Sequence, residues 1–349
     1  MFDLEKIIRP NIKYMKPYSS ARDEYKGQEG VFLDANENPF NNPYNRYPDP
    51  LQNDLKLKLA GIKKVDPSQI FLGNGSDEAI DLLIRAFCEP GKDSVLSLNP
   101  SYGMYQVAAD TNAVEFRTVT LNPDFTLDVN KLKAAIDSTV KLIFICSPNN
   151  PSGNQFHKED IVSILTDFNG LVVVDEAYID FSTGSSFLSE LNDFSNLVVL
   201  QTFSKAWGLA GIRLGIAYAS KEIIAILNKI KYPYNVNVLT QKIALEALHN
   251  LKTKEKWVNT ILLQKEFLIQ KLRNLKVVEH IYPSEANFIL VKVKKSGELF
   301  NFLINKQIIT RNRSKVALCE GCIRITVGTE MENRILVETI SEFEDEFLK

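Results

Sequence analysis

Short apolar runs alternate with amphipathic segments through most of the chain. The runs KLIFICS (141–147), LVVVDEAYIDF (171–181) and NLVVLQTFS (196–204) are rich in β-branched and aromatic residues, which predicts buried strands. Two further segments, KEDIVSILTDFNG (158–170) and KEIIAILNKIK (221–231), carry apolar residues at helical spacing and predict helices. Strands that alternate with helices predict an α/β domain with a mainly parallel, helix-covered sheet.

The pattern changes near residue 250. A long charged amphipathic segment (252–275) predicts one helix, and the run NFILVKV (287–293) predicts a short strand. The beginning of the chain shows no clear periodicity. We therefore predict an N-terminal arm over residues 1–30, a large α/β domain over 31–249, and a smaller α+β domain over 250–349.

Composition and charge exclude several classes of protein. The chain has 349 residues, of which 45% are hydrophobic and 24% charged, as in an ordinary globular protein. Its 41 basic and 43 acidic residues give a net charge of -2, whereas proteins that bind nucleic acids or anionic membranes usually have a basic excess. No apolar run reaches the roughly 18 residues of a membrane span, and the first residues do not resemble a signal peptide. We expect a cytoplasmic protein.

The cysteines and histidines do not predict a metal site. Cys319 and Cys322 form the motif CEGC, but Cys88 and Cys146 stand alone, so the second pair of a zinc site is missing. We expect reduced thiols. No ligand spacing joins the three histidines, His157, His249 and His280.

Polar residues follow three of the predicted strands. Asp175 and Tyr178 follow one strand, Asn150 follows the strand before it in the chain, and Ser204 and Lys205 follow a third. The carboxyl ends of parallel strands meet at one edge of a sheet, where ligands bind. Alone, such an aspartate is more often a cap or an ion-pair partner, and a lone loop lysine is usually solvated.

Together these residues suit a pyridine-containing aldehyde cofactor. A lysine that forms a Schiff base needs a neutral amine, which a partly desolvated pocket favours. A carboxylate facing a pyridine nitrogen keeps that nitrogen protonated, so that the ring can accept electrons from a carbanion.

The segment FLGNGSDEAI (71–80) predicts an anion site, because a glycine-flanked turn leads into a helix whose first N–H groups are free. We expect the carboxylates of Asp77 and Glu78 to point away from this site and to satisfy the start of the helix. The guanidinium of Arg213 suits phosphate oxygens, and Thr202 and Ser204 offer hydroxyls nearby.

The motifs PNNPSG (148–153), DEAY (175–178) and SKAWGLAGIRLG (204–215), in this order, closely resemble fold-type I pyridoxal-phosphate aminotransferases. Further motifs narrow the resemblance to the histidinol-phosphate aminotransferases: KPYSSAR, LDANENP, RYPD, GNGSDEAI, PSYGMY and CIRITVGT. The matches run from about residue 17 to residue 328. The implied fold is a large domain with a mainly parallel sheet and a smaller C-terminal α+β domain.

The resemblance assigns pyridoxal 5′-phosphate as the cofactor and gives each residue a role. Lys205 is the Schiff-base lysine and moves the proton, and Asp175 pairs with the pyridinium nitrogen. Asn150 and Tyr178 hydrogen-bond the phenolic oxygen, and Tyr102 stacks on the ring. The residues around the cofactor phosphate are Gly75, Ser76, Asp77, Ser204 and Arg213, with Ser76 and Asp77 acting through main chain.

The resemblance also implies a homodimer, because Tyr47 would reach the cofactor phosphate of the neighbouring subunit. On the substrate side, Arg324 matches the arginine that holds a substrate carboxylate in related enzymes and the substrate phosphate in this family. Arg311 and Tyr18 match positions that assist it.

The imidazole side and the charged loop before Arg324 are less defined. Asn36 and Glu37 are candidate contacts of the imidazole. The loop also carries Arg313 and Lys315, so that several cations compete for the substrate phosphate.

The implied reaction is transamination between L-histidinol phosphate and 2-oxoglutarate, which gives imidazole-acetol phosphate and glutamate. Aromatic or other amino-acid aminotransferases share the cofactor residues and stay open as an alternative. A decarboxylase of phosphorylated threonine is similar in fold and also stays open. A cofactor-sensing regulator would need a basic helix-turn-helix domain, for which the N-terminal arm leaves no room.

Overall fold

A seven-stranded sheet forms the centre of the computed structural model, which describes residues 2–18 and 30–347. Its strands are β1 (Ile70–Asn74), β2 (Ser94–Asn99), β3 (Glu115–Thr120), β4 (Val140–Cys146), β5 (Leu171–Asp175), β6 (Leu197–Thr202) and β7 (Leu214–Ala219). The spatial order is β1-β7-β6-β5-β4-β2-β3. Only β7 runs antiparallel to its neighbours in this sheet. The predicted mainly parallel sheet is therefore confirmed.

Helices cover both faces of this sheet. Their bounds are Asn53–Lys63, Ser76–Phe87, Met104–Thr111, Val129–Ala134, Lys158–Asp167, Lys221–Ile230 and Val238–Leu248. Side chains alternate between the two faces along each strand. Val172 and Val174 of β5 thus pack in one apolar cluster, and Val173 between them packs in the other. Burial on both faces explains why the central strands read as unbroken apolar runs.

A second, antiparallel sheet follows later in the chain. It consists of β8 (Val278–Ile281), β9 (Phe288–Val293), β10 (Arg311–Asn312) and β11 (Cys322–Thr326), in the order β10-β11-β9-β8. The helices Leu251–Leu272, Ser296–Asn305 and Glu330–Phe347 pack around it. Its core includes Leu268, Ile289 and Phe343. We propose the gap between Leu248 and Leu251 as the domain boundary.

The described part of the N-terminal arm contains two short helices that the sequence did not predict, Leu4–Ile7 and Pro10–Tyr14. Elements of this length are too short to show a helical period. Ile12 joins the apolar cluster on one face of the large sheet, and Arg9 donates to the carbonyl oxygen of Arg85 at 2.9 Å. Residues 19–29, including most of the KPYSSAR motif, lie outside the described residues.

The strand predicted over 171–181 ends at Asp175. The Asp175 carboxylate accepts the N–H of Ala177 at 3.1 Å, which turns the backbone, and a 3-10 turn follows at Ile179–Phe181. Within residues 2–18 and 30–347, no helix has the length and apolar character needed to cross a membrane.

Candidate active site

A cavity opens at the carboxyl edge of the large sheet, where sheets of this kind bind ligands. Nearly all residues predicted to bind the cofactor line it: Gly75, Ser76, Asp77, Tyr102, Asn150, Asp175, Tyr178, Thr202, Ser204, Lys205 and Arg213. The structure thus brings together residues that come from five separate segments of the chain.

Asp175 lies at the end of β5 and is only 2% exposed. Tyr105 donates its hydroxyl to Oδ2 at 2.8 Å, and the N–H of Ala177 donates to Oδ1. Burial raises the pKa of Asp175 to about 6, while the Tyr105 and Ala177 hydrogen bonds oppose that rise. No basic side chain of the described segments forms an ion pair with this carboxylate. It is therefore suited to a cationic ligand atom.

Lys205 follows β6 and points its amine toward the ring of Tyr178, with Nζ 5.5 Å from the ring centroid. Burial, and next the positive charge of Arg324, lower the pKa of Lys205. No hydrogen bond or ion pair joins its amine to any part of the chain that the structure describes. A half-buried amine of lowered pKa is readily available as the neutral nucleophile.

The anion site combines a helix start with Arg213. The helix Ser76–Phe87 begins after Gly75, whose φ of +75° lies in the left-handed region. The Gly75 N–H donates to the carbonyl oxygen of Arg213 at 2.7 Å, which joins this turn to the start of β7. Free N–H groups and a guanidinium therefore meet at one wall of the cavity, as an anion requires.

The prediction for the two acidic residues of this helix is half right. Glu78 accepts hydrogen bonds from the Asn74 N–H and from Asn235 Nδ2, so it satisfies the chain around the helix start as expected. Asp77 does not point away. Its carboxylate lies 3.3 Å from Arg213 Nη2 and accepts the hydroxyl of Tyr102 at 3.2 Å.

The reason is helical geometry. Successive residues of a helix project about 100° apart, so Asp77 and Glu78 face different directions, and the rotation of the helix turns Asp77 toward Arg213 and Tyr102. Asp77 instead holds Arg213 and Tyr102, two walls of the site, in fixed positions.

Tyr178, Asn150 and Arg324 form a chain of contacts. Asn150 Nδ2 donates to the Tyr178 hydroxyl at 3.4 Å, and its Oδ1 accepts from Arg324 Nη1. Burial raises the pKa of Tyr178 well above its ordinary value. Arg324 belongs to β11 of the second sheet and stacks over Phe288, with its guanidinium carbon 5.3 Å from the ring centroid. The second sheet therefore contacts the cavity wall at Asn150 through this arginine.

Arg311 and Arg324 lie directly opposite each other on β10 and β11. Side chains of directly paired residues project from the same face of a sheet, so both guanidinium groups belong to one surface. Arg313 follows β10, and its N–H donates to the carbonyl oxygen of Cys322 at 2.9 Å. Lys315 is exposed.

Six predicted residues do not line this cavity of their own chain: Tyr18, Asn36, Glu37, Tyr47, Arg311 and Arg324. Tyr18 is exposed. Asn36 and Tyr47 border a second, shallower hollow, where Glu37 accepts from Arg46 and from the Tyr47 N–H, each at 2.6 Å. Tyr47 stacks on Tyr234 with ring centroids 4.4 Å apart. The roles predicted for these residues stay predictions.

Sequence reasoning missed three features of the site. Tyr105, which orients Asp175, was given no role although it belongs to the PSYGMY motif, and Cys146 and Ala177 in the cavity wall were not assigned to the site. Cys146 lies directly opposite Asp175 in the pairing of β4 and β5, so aligning the two strand ends would have found it.

Cys319 and Cys322 are buried and free of disulfides, and burial raises the pKa of Cys322 to about 11.

Comparisons with known proteins agree with this geometry. The family model "Aminotransferase class I and II" matches residues 30–340. A histidinol-phosphate aminotransferase of Parabacteroides distasonis is 58% identical over 340 residues, which cover 97% of this chain and 99% of that protein.

Two solved structures share the fold. The histidinol-phosphate aminotransferase of Clostridium acetobutylicum superposes with a TM-score of 0.81 at 25% identity, covering 87% of this chain and 92% of that one. The histidinol-phosphate aminotransferase of Sinorhizobium meliloti, solved in complex with pyridoxal-5′-phosphate, gives a TM-score of 0.78 at 25% identity and covers 85% and 84%.

Proposed function

The chain belongs to the class I and II aminotransferases, and we propose that it transfers the amino group of L-histidinol phosphate to 2-oxoglutarate. The products would be imidazole-acetol phosphate and glutamate, and the reaction would serve histidine biosynthesis. The observation that carries the proposal is a single cavity with the amine of Lys205 and the Asn150–Arg324 contact at its wall. The name of the 58% identical relative supports the choice of amine donor.

The cavity fits pyridoxal 5′-phosphate, the cofactor of this family. A buried carboxylate without a cation, Asp175, suits the protonated ring nitrogen. The amine of Lys205 suits the aldehyde carbon. Arg213 and the N–H groups after Gly75 suit the phosphate, and a methyl group on Gly75 would lie 2.6 Å from Arg213 Nη2 and would displace this guanidinium.

When bound, the cofactor supplies an electron-accepting ring that stabilises negative charge on the substrate carbon. Lys205 Nζ would take the proton from that carbon and deliver it to the cofactor carbon that carried the aldehyde. The lowered pKa of Lys205 favours this role. Asp175, oriented by Tyr105, would keep the ring nitrogen protonated. Tyr178 and Asn150 would hold the phenolic oxygen, and Tyr102 would lie against the ring.

Arg324 and Arg311 would bind the anionic end of each substrate, the phosphate of the amine donor or a carboxylate of glutamate. A guanidinium forms two parallel hydrogen bonds with either group. A homodimer in which Tyr47 completes the neighbouring subunit's site, and a cytoplasmic location, are part of this proposal. Tyr18 and Asn36 would assist on the substrate side.

The test is the absorbance of the purified protein with bound pyridoxal 5′-phosphate. L-histidinol phosphate, added without a keto acid, should remove the yellow cofactor band and produce the absorbance of pyridoxamine 5′-phosphate. 2-Oxoglutarate should then restore the yellow band. A band that L-histidinol phosphate leaves unchanged, while an aromatic amino acid removes it, would assign the protein to the broader class of aminotransferases. Release of carbon dioxide from threonine phosphate would replace the proposal by a decarboxylase.

A further inference from the structure

Three arginines gather on one face of the β10–β11 hairpin. Arg311 and Arg324 are directly opposite each other, and Arg313 lies two residues beyond Arg311, where alternation returns a side chain to the same face. The backbone N–H of Arg313 donates to the Cys322 carbonyl oxygen. This hydrogen bond extends the pairing of β10 and β11 by one residue and fixes its register. All three side chains therefore project toward the side on which Arg324 contacts Asn150.

The Arg313 guanidinium has no anionic partner in the part of the chain that the structure describes. Its Nε is buried and has no hydrogen-bond partner. No carboxylate in residues 2–18 or 30–347 forms an ion pair with Arg311, Arg313 or Arg324. Burial lowers the pKa of Arg313, and the charges of Arg324 and Arg311 lower it further, so the charged form is disfavoured where no counterion is present. A buried, unpaired donor on a cation is costly, and an anionic ligand would remove the cost.

Lys315 differs from Arg313 in this respect. It lies in the same loop but is exposed, so water solvates its charge. The structure thus separates the two extra cations of this loop: one faces solvent, and the other is directed toward the arginine pair.

We propose that Arg313 is a third anion-binding side chain of the substrate site and that it selects a phosphomonoester dianion over a carboxylate. This inference rests on the proposed function and extends it to a residue that determines specificity. A carboxylate has one charge and two oxygens, which one or two arginines satisfy. A phosphate ester carries nearly two charges at neutral pH and three free oxygens, so a third guanidinium adds binding for the phosphate alone.

The test compares two half-reactions in the cofactor-loaded protein. The rate of loss of the yellow band is measured with L-histidinol phosphate and, separately, with L-glutamate, in the wild type, Arg313→Gln and Arg313→Lys. We expect Arg313→Gln to lower kcat/KM for L-histidinol phosphate by about 10- to 100-fold and for L-glutamate by less than about threefold, because one charge-assisted contact is lost. Arg313→Lys, which keeps the charge, should restore much of the difference. Lys315→Gln is the matched control and should change neither rate.

A second readout uses inorganic phosphate as the probe. Its inhibition constant against the glutamate half-reaction should rise about tenfold in Arg313→Gln and stay unchanged in Lys315→Gln. Equal losses in both half-reactions, or an unchanged ratio with unchanged phosphate inhibition, would overturn the proposal in favour of a structural role. If the wild type does not react with L-histidinol phosphate, the proposed function fails, and the phosphate inhibition alone then decides whether Arg313 binds the anion.

Discussion

Asp175 is a carboxylate that is buried without an ion-pair partner among the described residues. Its pKa of about 6 lies above the ordinary value of 3.8, so the folded state favours the protonated acid. The resulting contribution to the free energy of unfolding is roughly 3 kcal/mol. It is fully present below about pH 4 and is lost as the pH rises through about 6. The cofactor-free protein should therefore lose stability over this range.

The comparison with Asp175→Asn isolates this contribution, because asparagine resembles the protonated acid and does not titrate. In urea unfolding of the cofactor-free proteins, the variant should match the wild type near pH 4 and exceed it above pH 7. With pyridoxal 5′-phosphate bound, the order should reverse, because the carboxylate then has a cation. A difference between the two proteins that does not vary with pH would contradict the account.

Lys205 makes no hydrogen bond within the described residues, so its removal should leave the fold intact. Lys205→Ala should lower turnover by at least about a thousandfold, since it removes both a nucleophile and a proton carrier. The checks are the transamination rate and the melting temperature. Lys252→Ala, at an exposed position of the helix Leu251–Leu272, is the control and should retain full activity. Substantial turnover by Lys205→Ala would show that another base moves the proton.

At this scale the sequence predicts which residues meet but not which way each points. Lys205 and Asp175 could be placed because both follow buried strands of one sheet. The direction of Asp77 could not, because it depends on the rotation of the helix relative to Tyr102 and Arg213. The Tyr105 contact likewise depends on tertiary packing, since this residue belongs to a helix well separated in sequence from Asp175.

The contact between β7 and the helix Ser76–Phe87 determines the shape of the phosphate site. A methyl group on Gly215 would overlap the Ser76 amide nitrogen and the Gly75 carbonyl carbon, which are both backbone atoms. Gly215→Ala should therefore push the helix start away from the strand, destabilise the protein by about 1–3 kcal/mol and weaken binding of pyridoxal 5′-phosphate.

Gly211 provides the control for this substitution. It lies in the preceding loop, and no atom lies within 4 Å of the position that its Cβ would occupy. Gly211→Ala should change stability and cofactor affinity little. Denaturant unfolding and titration of the cofactor-free protein measure both quantities, and equal effects of the two substitutions would show that the close approach is unimportant.

Most elements of the large domain could be predicted from the sequence, because buried parallel strands and their covering helices leave strong periodic patterns. The run LVVVDEAYIDF stays apolar past the end of β5 at Asp175, where a side-chain hydrogen bond to Ala177 turns the backbone. The two N-terminal helices were missed because each is shorter than two turns.

For the whole molecule, the proposed dimer can be tested by mixing two inactive proteins. Tyr47→Ala and Lys205→Ala would each disable every site in a homodimer. If Tyr47 acts across the interface, a mixed dimer has one site with both defects and one intact site. Reassociated mixtures should then regain about a quarter of wild-type activity, because half of the dimers are mixed and half of their sites are intact. If Tyr47 acts within its own chain, mixing restores nothing.

Several apolar side chains in the two segments that hold Tyr47 and its stacking partner Tyr234 are exposed, which agrees with an interface there. Leu33, Phe40, Tyr44 and Tyr232 are each more than half exposed. Large apolar residues gathered in this way usually mark a binding surface. The sequence alone did not reveal this surface, since apolar residues in loops show no period that would assign them to a partner.

The reversed direction of β7 has a consequence for chain connectivity. The chain leaves the carboxyl edge of the sheet at Thr202 and returns at Leu214, so Lys205 and Arg213 lie in one short loop between adjacent strands. Closing so short a loop costs little entropy. The spacing between the amine and the guanidinium is therefore set locally, independently of where the second sheet lies. Arg324 lies much later in the chain, on the second sheet. A shift of the second sheet would therefore alter substrate binding and leave the cofactor in place.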